Sequence, residues 1–147
     1  MLEAKYQDFY DQIIHKIEKE KIFTDKLHTL AYGTDASFYR LIPKIVIKTD
    51  NAKEVQDIIE LSNSMNLSIT FRAGGTSLSG QAISDSILII TSRNFSNFKI
   101  AADVSYISLE PALTGVQVNG LLARYSKKIG PDPASINAAM IGGIAAN

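Results

Sequence analysis

The chain of 147 residues contains no cysteine. Disulfide bonds, cysteine-ligated metal sites and a complete iron–sulfur cluster are therefore excluded within it. An excess of charge is also missing, because 15 basic residues balance 15 acidic ones, so bulk charge favours neither nucleic acid nor an anionic membrane. No apolar run approaches the roughly 20 residues that span a bilayer, and the charged amino terminus is not a secretory signal. We expect a cytoplasmic protein with no transmembrane segment and no nucleic-acid partner.

The amino-terminal part of the chain predicts helices. Apolar side chains recur at helical spacing across residues 4–20, where they form one face: Tyr6, Phe9, Ile13 and Ile17. A second, short helix is expected at about 25–31, with Thr24 or Asp25 as its cap. We interpret residues 1–31 as a helical segment used for packing. Neither histidine of the chain has a carboxylate or hydroxyl partner at an informative spacing, so neither is assigned to catalysis.

A strand, a helix and a strand follow with short connections. Residues 44–48 are β-branched and apolar, residues 52–65 have an apolar helical stripe, and residues 67–71 alternate. The expected stripe comprises Val55, Ile58, Ile59 and Ser62. Asn66 is a plausible left-handed stop for the helix. This order is typical of a right-handed parallel βαβ unit.

The second strand of that unit runs into a glycine-rich loop, Arg72-Ala73-Gly74-Gly75-Thr76-Ser77-Leu78-Ser79-Gly80-Gln81. Glycine permits positive φ, and successive backbone N–H groups in such a turn form a concavity that suits an anion. Ligands of open α/β sheets gather at the carboxyl ends of strands, where this loop lies. The loop matches neither the Walker A pattern nor G-x-G-x-x-G. Phosphate binding and a tight surface turn are therefore both open at this point.

The rest of the chain predicts a second group of elements. Residues 87–90 form a solid apolar run, typical of a strand buried on both faces. Residues 98–102 and 104–109 predict a hairpin, and Thr114 is the expected cap of a helix at about 115–126 that Gly130 closes. Residues 130–147 are rich in small side chains, which favours either a tightly packed turn or a backbone that lies against a bulky ligand.

Two motifs together resemble a known family. R-A-G-G-T-S-L-S-G at 72–80, and G-P-D-P-A-S followed by I-G-G-I-A-A-N within 130–147, look like the PCMH-type FAD-binding domain of FAD-linked oxidases, such as vanillyl-alcohol oxidase. The branch with D-lactate, glycolate and D-2-hydroxyglutarate dehydrogenases is the most similar. The resemblance extends over residues 32–43, which contain Asp35-Ala36-Ser37, and over the strand–helix–strand unit.

The resemblance implies an α+β fold in two lobes with FAD in the crevice between them. The expected FAD-binding domain covers residues 32–147. Its first lobe, about 32–85, is the small parallel βαβ lobe, and its second lobe, from about 86, is mainly antiparallel. The resemblance also implies that the domain is incomplete at its carboxyl end. A substrate-capping domain, and any iron–sulfur cluster, would lie in the missing part.

The resemblance also implies roles for individual residues. The loop around Gly74–Gly80 would hold the FAD pyrophosphate through backbone N–H groups, with help from its hydroxyl side chains, and Arg72 would fix the loop or offset phosphate charge. Pro43 would touch the adenine side. The expected cofactor-binding residues are Pro43, Arg72, Ala73, Gly74, Gly75, Thr76, Ser77, Leu78, Ser79, Gly80, Pro131, Asp132, Ala134, Ser135, Gly142, Gly143 and Asn147. No catalytic residue and no metal ligand is expected within the chain.

The implied activity is that of a flavin-dependent dehydrogenase. It would oxidise a 2-hydroxy acid, such as D-lactate, to the 2-oxo acid and pass electrons to a separate acceptor. FAD is expected to be noncovalent, because the loop has no histidine and the chain has no cysteine. The alternatives are a flavoprotein of the same fold with another substrate, and a non-enzymatic nucleotide-binding module.

The resemblance implies, finally, how the chain behaves as a fragment. We expect the fragment to be inactive alone and to self-associate or be disordered near residues 130–147, because apolar surface would be exposed. The whole protein would be cytoplasmic or peripheral at the inner face of a membrane.

Overall fold

The computed structural model describes residues 2–91 and 93–146. Its five helices are α1 (Ala4–Ile13), α2 (Lys26–Ala31), α3 (Ala52–Ser64), α4 (Gly115–Ala123) and α5 (Ile141–Ala146). Its six strands are β1 (Ile22–Phe23), β2 (Ile45–Thr49), β3 (Ile69–Arg72), β4 (Ile87–Thr91), β5 (Phe98–Ile100) and β6 (Ile107–Leu109). Among these described residues, no helix is long and apolar enough to cross a membrane.

The first helix is shorter than its apolar pattern predicts. α1 ends at Ile13, and a 3₁₀ turn at Lys19–Lys21 leads into β1. β1 pairs antiparallel with β2, so the chain must change direction before residue 22. The predicted apolar face is nevertheless confirmed, since all four of its side chains are buried. The short helix α2 is also confirmed, with Asp25 as its cap.

The first sheet has four strands in the order β1-β2-β4-β3, in which β2, β4 and β3 are parallel and β1 is an antiparallel edge strand. β4 is hydrogen-bonded on both sides, to β2 and to β3. The expectation that the strand near residue 87 opens the second, antiparallel lobe is therefore wrong. Its continuous apolar run instead suits the centre of a sheet that is covered on both faces. The boundary between the two sheets falls after β4.

The main core lies between this sheet and the helices α1 and α3. Ile45, Ile47, Ile87 and Ile89 contribute fully buried side chains from the two middle strands. On α3 the expected stripe is only partly right, because Ile59 is 42% exposed while Glu54 and Asp57 are buried. These two carboxylates lie under α1 and the turn after it, where Lys21 and Lys16 pair with them at 2.9 and 3.0 Å. Asn66 ends the helix with the predicted positive φ, 52°.

The second sheet is the predicted antiparallel hairpin of β5 and β6. α4 packs on it through Val118 and Leu122. Thr114 caps α4 as predicted: its side chain accepts from the backbone N–H of Gln117, whose side chain returns to the cap. α4 ends at Ala123, and the residue with positive φ that follows it is Ser126, at 54°, four residues before the expected Gly130. One mainly parallel and one antiparallel sheet with flanking helices confirm the α+β class.

Candidate functional site

The glycine loop begins where β3 ends, at the carboxyl edge of the parallel sheet. Because β2, β4 and β3 are parallel, all three strands end at this edge. Loops on such an edge are free to take non-repetitive shapes while rigid strands fix their first residue. Residues 73–86, which include most of this loop, connect β3 to β4.

Arg72 anchors the start of the loop through hydrogen bonds to the backbone of residues 32 and 34. Its Nη1 donates hydrogen bonds to the backbone carbonyls of Thr34, at 2.6 Å, and Tyr32, at 3.4 Å. A side chain added at Gly75 would place its Cβ 2.6 Å from Nη2 of Arg72, so the loop lies directly on the guanidinium group. This geometry agrees with the predicted role of fixing the loop.

Several backbone N–H groups in the middle of the loop have no hydrogen-bond partner among the described residues. In the part of the chain that the structure describes, the N–H groups from Gly75 to Leu78 donate no hydrogen bond. Gly75 and Gly80 have φ values of 64° and 76°, a conformation that glycine adopts without strain. Successive free donors in such a turn are the physical requirement for holding an anion.

The hydroxyl group of Ser77 is used inside the loop. Its Oγ accepts from the backbone N–H groups of Ser79, at 3.2 Å, and Gln81, at 3.3 Å, and bonds the side-chain carbonyl of Gln81. Leu78, the next residue, is 76% exposed. Through its hydrogen bonds to residues 79 and 81, Ser77 fixes the shape of the turn that contains the N–H groups without partners among the described residues.

The structure adds Asp35 to this region. Its Oδ1 accepts from the Ser37 N–H at 2.8 Å, and its Oδ2 accepts from the Ala82 N–H at 3.3 Å. Partial burial raises the pKa of the Asp35 carboxyl group, but hydrogen bonds from Ser37 and Ala82 and the charge of Arg72 outweigh it, so the pKa lies below its ordinary value. In the sequence, Asp35 appears only within the stretch that resembles the family. Its spacing from Ser37 is the signal of a local turn.

The second small-residue motif lies directly against the first. A Cβ built on Gly74 would be 2.5 Å from the backbone oxygen of Ala138. The segment there is a tight turn, because the carbonyl of Ser135 accepts from the N–H groups of Ala138, at 2.8 Å, and Ala139, at 2.7 Å. Two motifs about fifty residues apart in the sequence thus meet at one backbone contact.

A cavity of about 780 Å³ adjoins this contact. It lies between the carboxyl edge of the parallel sheet and the segment that joins β6 to α4, and α5 closes one side. Six of its lining residues are Phe71, Ala73, Thr91, Pro111, Gly142 and Gly143. Gly142 packs on Pro111, where an added Cβ would lie 2.7 Å from the proline ring, whereas Gly143 has open space around it. The volume lies within the range of small-molecule pockets, about 300–1,000 Å³.

Some predicted site residues lie away from this contact. Pro43 is fully buried and precedes β2, at the opposite edge of the sheet from the loop. Pro131, Asp132 and Ala134 are exposed, and Asp132 pairs with Lys128 across 3.4 Å of open surface. Asn147 lies outside the described residues.

The histidines remain apart from the loop, but one of them does have a carboxylate partner. Nδ1 of His28 lies 2.7 Å from Oδ2 of Asp25, and its ring stacks on Phe23 at 4.5 Å. The expectation that neither histidine has such a partner is therefore wrong. The pair lies three residues apart across the cap of α2, where it stabilises a helix end. Among the described residues, no group of three histidine or acidic side chains is arranged to hold a metal ion.

Comparison with known proteins gives a family match. The model of a family described as "FAD binding domain" matches residues 43–147. A D-2-hydroxyglutarate dehydrogenase of Pseudomonas putida is 23% identical over 145 residues, which cover 96% of this chain and 14% of that protein. A D-lactate dehydrogenase of Archaeoglobus fulgidus is 26% identical over 104 residues, which cover 70% of this chain and 24% of that protein.

The fold is similar to that of a solved enzyme structure. A crystal structure of p-cresol methylhydroxylase with bound substrate superposes with a TM-score of 0.69 and 12% identity, over 85% of this chain and 26% of that one. This likeness confirms the predicted PCMH-type fold. The chain spans between a seventh and a quarter of the length of these two curated relatives.

Proposed function

Because the chain belongs to the FAD binding domain family, we propose that its glycine loop and adjoining cavity hold FAD within a flavin-dependent oxidoreductase. The observation that carries this proposal is the row of N–H groups from Gly75 to Leu78, which have no partner among the described residues and lie at the carboxyl edge of the parallel strands. A pyrophosphate supplies the acceptors that these donors lack. The net charge of the chain is zero, so the local donors, rather than bulk charge, select the anion.

Small residues leave room for the remainder of the cofactor. Ala73 and Gly143 line the cavity, and apart from the backbone of its own helix no described residue approaches within 4 Å of the position that a Cβ on Gly143 would take. The dinucleotide would therefore run from the loop across the contact of Gly74 with Ala138. In this arrangement Thr76 and Ser79 would assist at the phosphates, and Pro131, Asp132, Ala134 and Ser135 would lie toward the flavin. Pro43, which lies at the opposite edge of the sheet, and Asn147, which lies outside the described residues, remain proposed contacts.

The proposed reaction is oxidation of a 2-hydroxy acid to a 2-oxo acid. Flavin, when bound, supplies the hydride acceptor, and this chain supplies position and hydrogen bonds. The names of the two dehydrogenase relatives support a 2-hydroxy acid as the substrate class. The groups that move the substrate proton, the electron acceptor and any iron–sulfur cluster are proposed to lie outside residues 1–147.

The first test is the binding of FAD to the chain itself. Titration with the purified protein should quench the fluorescence of FAD in a saturable way. After acid precipitation all the flavin should remain in the supernatant, because binding is proposed to be noncovalent. Absence of quenching by this chain, together with absence of flavin from the whole polypeptide of the same reading frame, would overturn the cofactor proposal.

The substrate proposal needs the whole polypeptide encoded by the reading frame in which this sequence lies. D-Lactate or D-2-hydroxyglutarate should bleach its flavin band under anaerobic conditions, and a dye should accept the electrons. Bleaching by neither acid, in protein shown to contain FAD, would reject the 2-hydroxy acid while retaining the cofactor.

A further inference from the structure

We propose that Asp35 is a positioning residue that fixes the glycine loop in its anion-binding shape. This inference rests on the proposed function, because it assigns a role toward the FAD phosphates. Asp35 lies outside the loop and about forty residues before it, and its carboxylate reaches the end of the loop. Oδ2 accepts from the backbone N–H of Ala82 at 3.3 Å, while Oδ1 accepts from that of Ser37 at 2.8 Å.

The residues beside Asp35 hold the other end of the loop. The N–H of Ala36 donates to the carbonyl of Gly75 at 3.1 Å. The carbonyl of Thr34 accepts from Arg72 at 2.6 Å. Three consecutive residues, 34–36, are therefore bonded to positions 72, 75 and 82.

The loop needs such fixed points because of its composition. Gly75 and Gly80 adopt positive φ, and glycine loses more conformational freedom on ordering than any other residue. Between the fixed points at 75 and 82 lie the donors of Thr76, Ser77 and Leu78, which have no partner among the described residues. A ligand would otherwise have to order these donors itself, and affinity would fall.

The chemistry of the carboxylate suits this task. An ionised aspartate is acceptor-only and can take hydrogen bonds from two N–H groups at once. Asparagine offers one carbonyl oxygen and presents an NH₂ group to the second donor. Asn at position 35 should therefore keep the local turn with Ser37 and lose the bond to Ala82.

The test compares Asp35→Ala and Asp35→Asn with Asp103→Ala in the 147-residue chain. Asp103 is the matched control, because it also accepts from a backbone N–H two residues later, that of Ser105 at 3.1 Å, in an exposed turn of the hairpin. Affinity for FAD should fall tenfold or more in Asp35→Ala, by less in Asp35→Asn, and not at all in Asp103→Ala. Equal FAD affinity in Asp35→Ala and the wild type would overturn the inference.

A second measurement is independent of FAD. Backbone ¹⁵N order parameters of residues 75–81 in the free protein should fall into the flexible range, below about 0.6, in Asp35→Ala, while those of β2 and β4 stay unchanged. Loss of order throughout the chain, or none in the loop, would overturn the positioning role. These order parameters decide whether Asp35 fixes the loop even where the chain does not bind FAD, so failure of this inference and failure of the proposed function are distinguishable.

Discussion

Gly74 is the residue at which the two small-residue motifs touch. Its hydrogen faces the carbonyl of Ala138, and a methyl group there would lie 2.5 Å from that oxygen, well inside contact distance. Because the obstacle is backbone, it cannot rotate away. Gly74→Ala should therefore push the loop and the 130–140 segment apart. Overpacking of this kind costs about 1–3 kcal/mol, and we expect FAD affinity to fall roughly tenfold or more.

Gly120 provides the matched control for that substitution. It lies on the exposed side of α4, and a Cβ there has nothing within 4 Å. Alanine is the better helix former, so Gly120→Ala should raise the free energy of unfolding by up to about 1 kcal/mol and leave FAD affinity unchanged. The comparison requires fluorescence titration and urea denaturation of both variants. Equal FAD affinity in the two variants would contradict the role of the Gly74 contact.

At the scale of residues, the sequence predicts backbone conformations better than it predicts which residues contact each other. The clustering of glycine predicts a turn with positive φ, and Gly75 and Gly80 have it. At position 74 glycine is needed for another reason, because the backbone of Ala138 leaves no room for a side chain. The partnership of Asp35 with Ala82 is equally hidden, because 47 residues separate the two and no local pattern encodes the contact.

At the scale of elements, ion pairs join the segment that follows α1 to α3. Asp57 is the centre of one group: its Oδ1 lies 3.0 Å from Nζ of both Lys16 and Lys53. Hydrogen bonds from Lys16 and Lys53, together with their charges, hold the pKa of the Asp57 carboxyl group below its ordinary value. The charged form is therefore favoured in the folded protein.

This arrangement predicts a pH dependence of stability. A carboxyl group with a lowered folded pKa contributes stability above its unfolded pKa, about 3.9, and loses it as pH falls through the folded pKa. The urea midpoint of the wild type should therefore drop as pH is lowered from 6 toward about 3. Asp57→Asn should start lower at pH 6 and show a flatter pH profile. Denaturation by urea, followed by circular dichroism, measures both effects.

Asp11→Asn is the control, because this exposed carboxylate of α1 bonds neutral Gln7. It should keep the wild-type profile. A profile in Asp57→Asn as steep as that of the wild type would show that other groups govern the acid response.

The positions of the strands along the chain are predicted better than their order in the sheet. Alternation and β-branched residues place β2, β3 and β4 correctly along the chain. That β4 inserts between β2 and β3 depends on long-range pairing, for which local periodicity has no signal. The exposure of Ile59 also depends on contacts between distant residues. The buried face of α3 includes Glu54 and Asp57, because lysines that lie before β2 in the chain pair with these carboxylates.

At the scale of the whole molecule, several large apolar side chains are exposed beside the loop. Phe38 is fully exposed, Tyr39 is 60% exposed and packs on Gly80, and Leu78 is 76% exposed. Exposed apolar groups of this kind drive association. The isolated chain should therefore self-associate at high concentration, and Phe38→Ser should weaken the association. Sedimentation velocity across a concentration series checks this, and a wild type that stays monomeric throughout would contradict it.

The architecture as a whole is the best-predicted feature, because two motifs identify a fold that has one mainly parallel and one antiparallel sheet. The sheet boundary and the shape of the cavity follow from packing across the molecule and are read only from the structure. The cavity gathers side chains from β3, β4, the β6–α4 connection and α5. Its lining therefore has no counterpart in any single stretch of sequence.

The central claim is that the backbone N–H groups of the glycine loop hold the FAD phosphates. Titration of the ¹⁵N-labelled chain with FAD, followed amide by amide, tests it most directly. The account predicts saturable shifts that are largest at Gly75–Leu78, with a second group at Ala138–Gly143, and the same loop shifts with ADP. FAD that binds with its largest shifts elsewhere, or that leaves the loop amides unmoved, would contradict it.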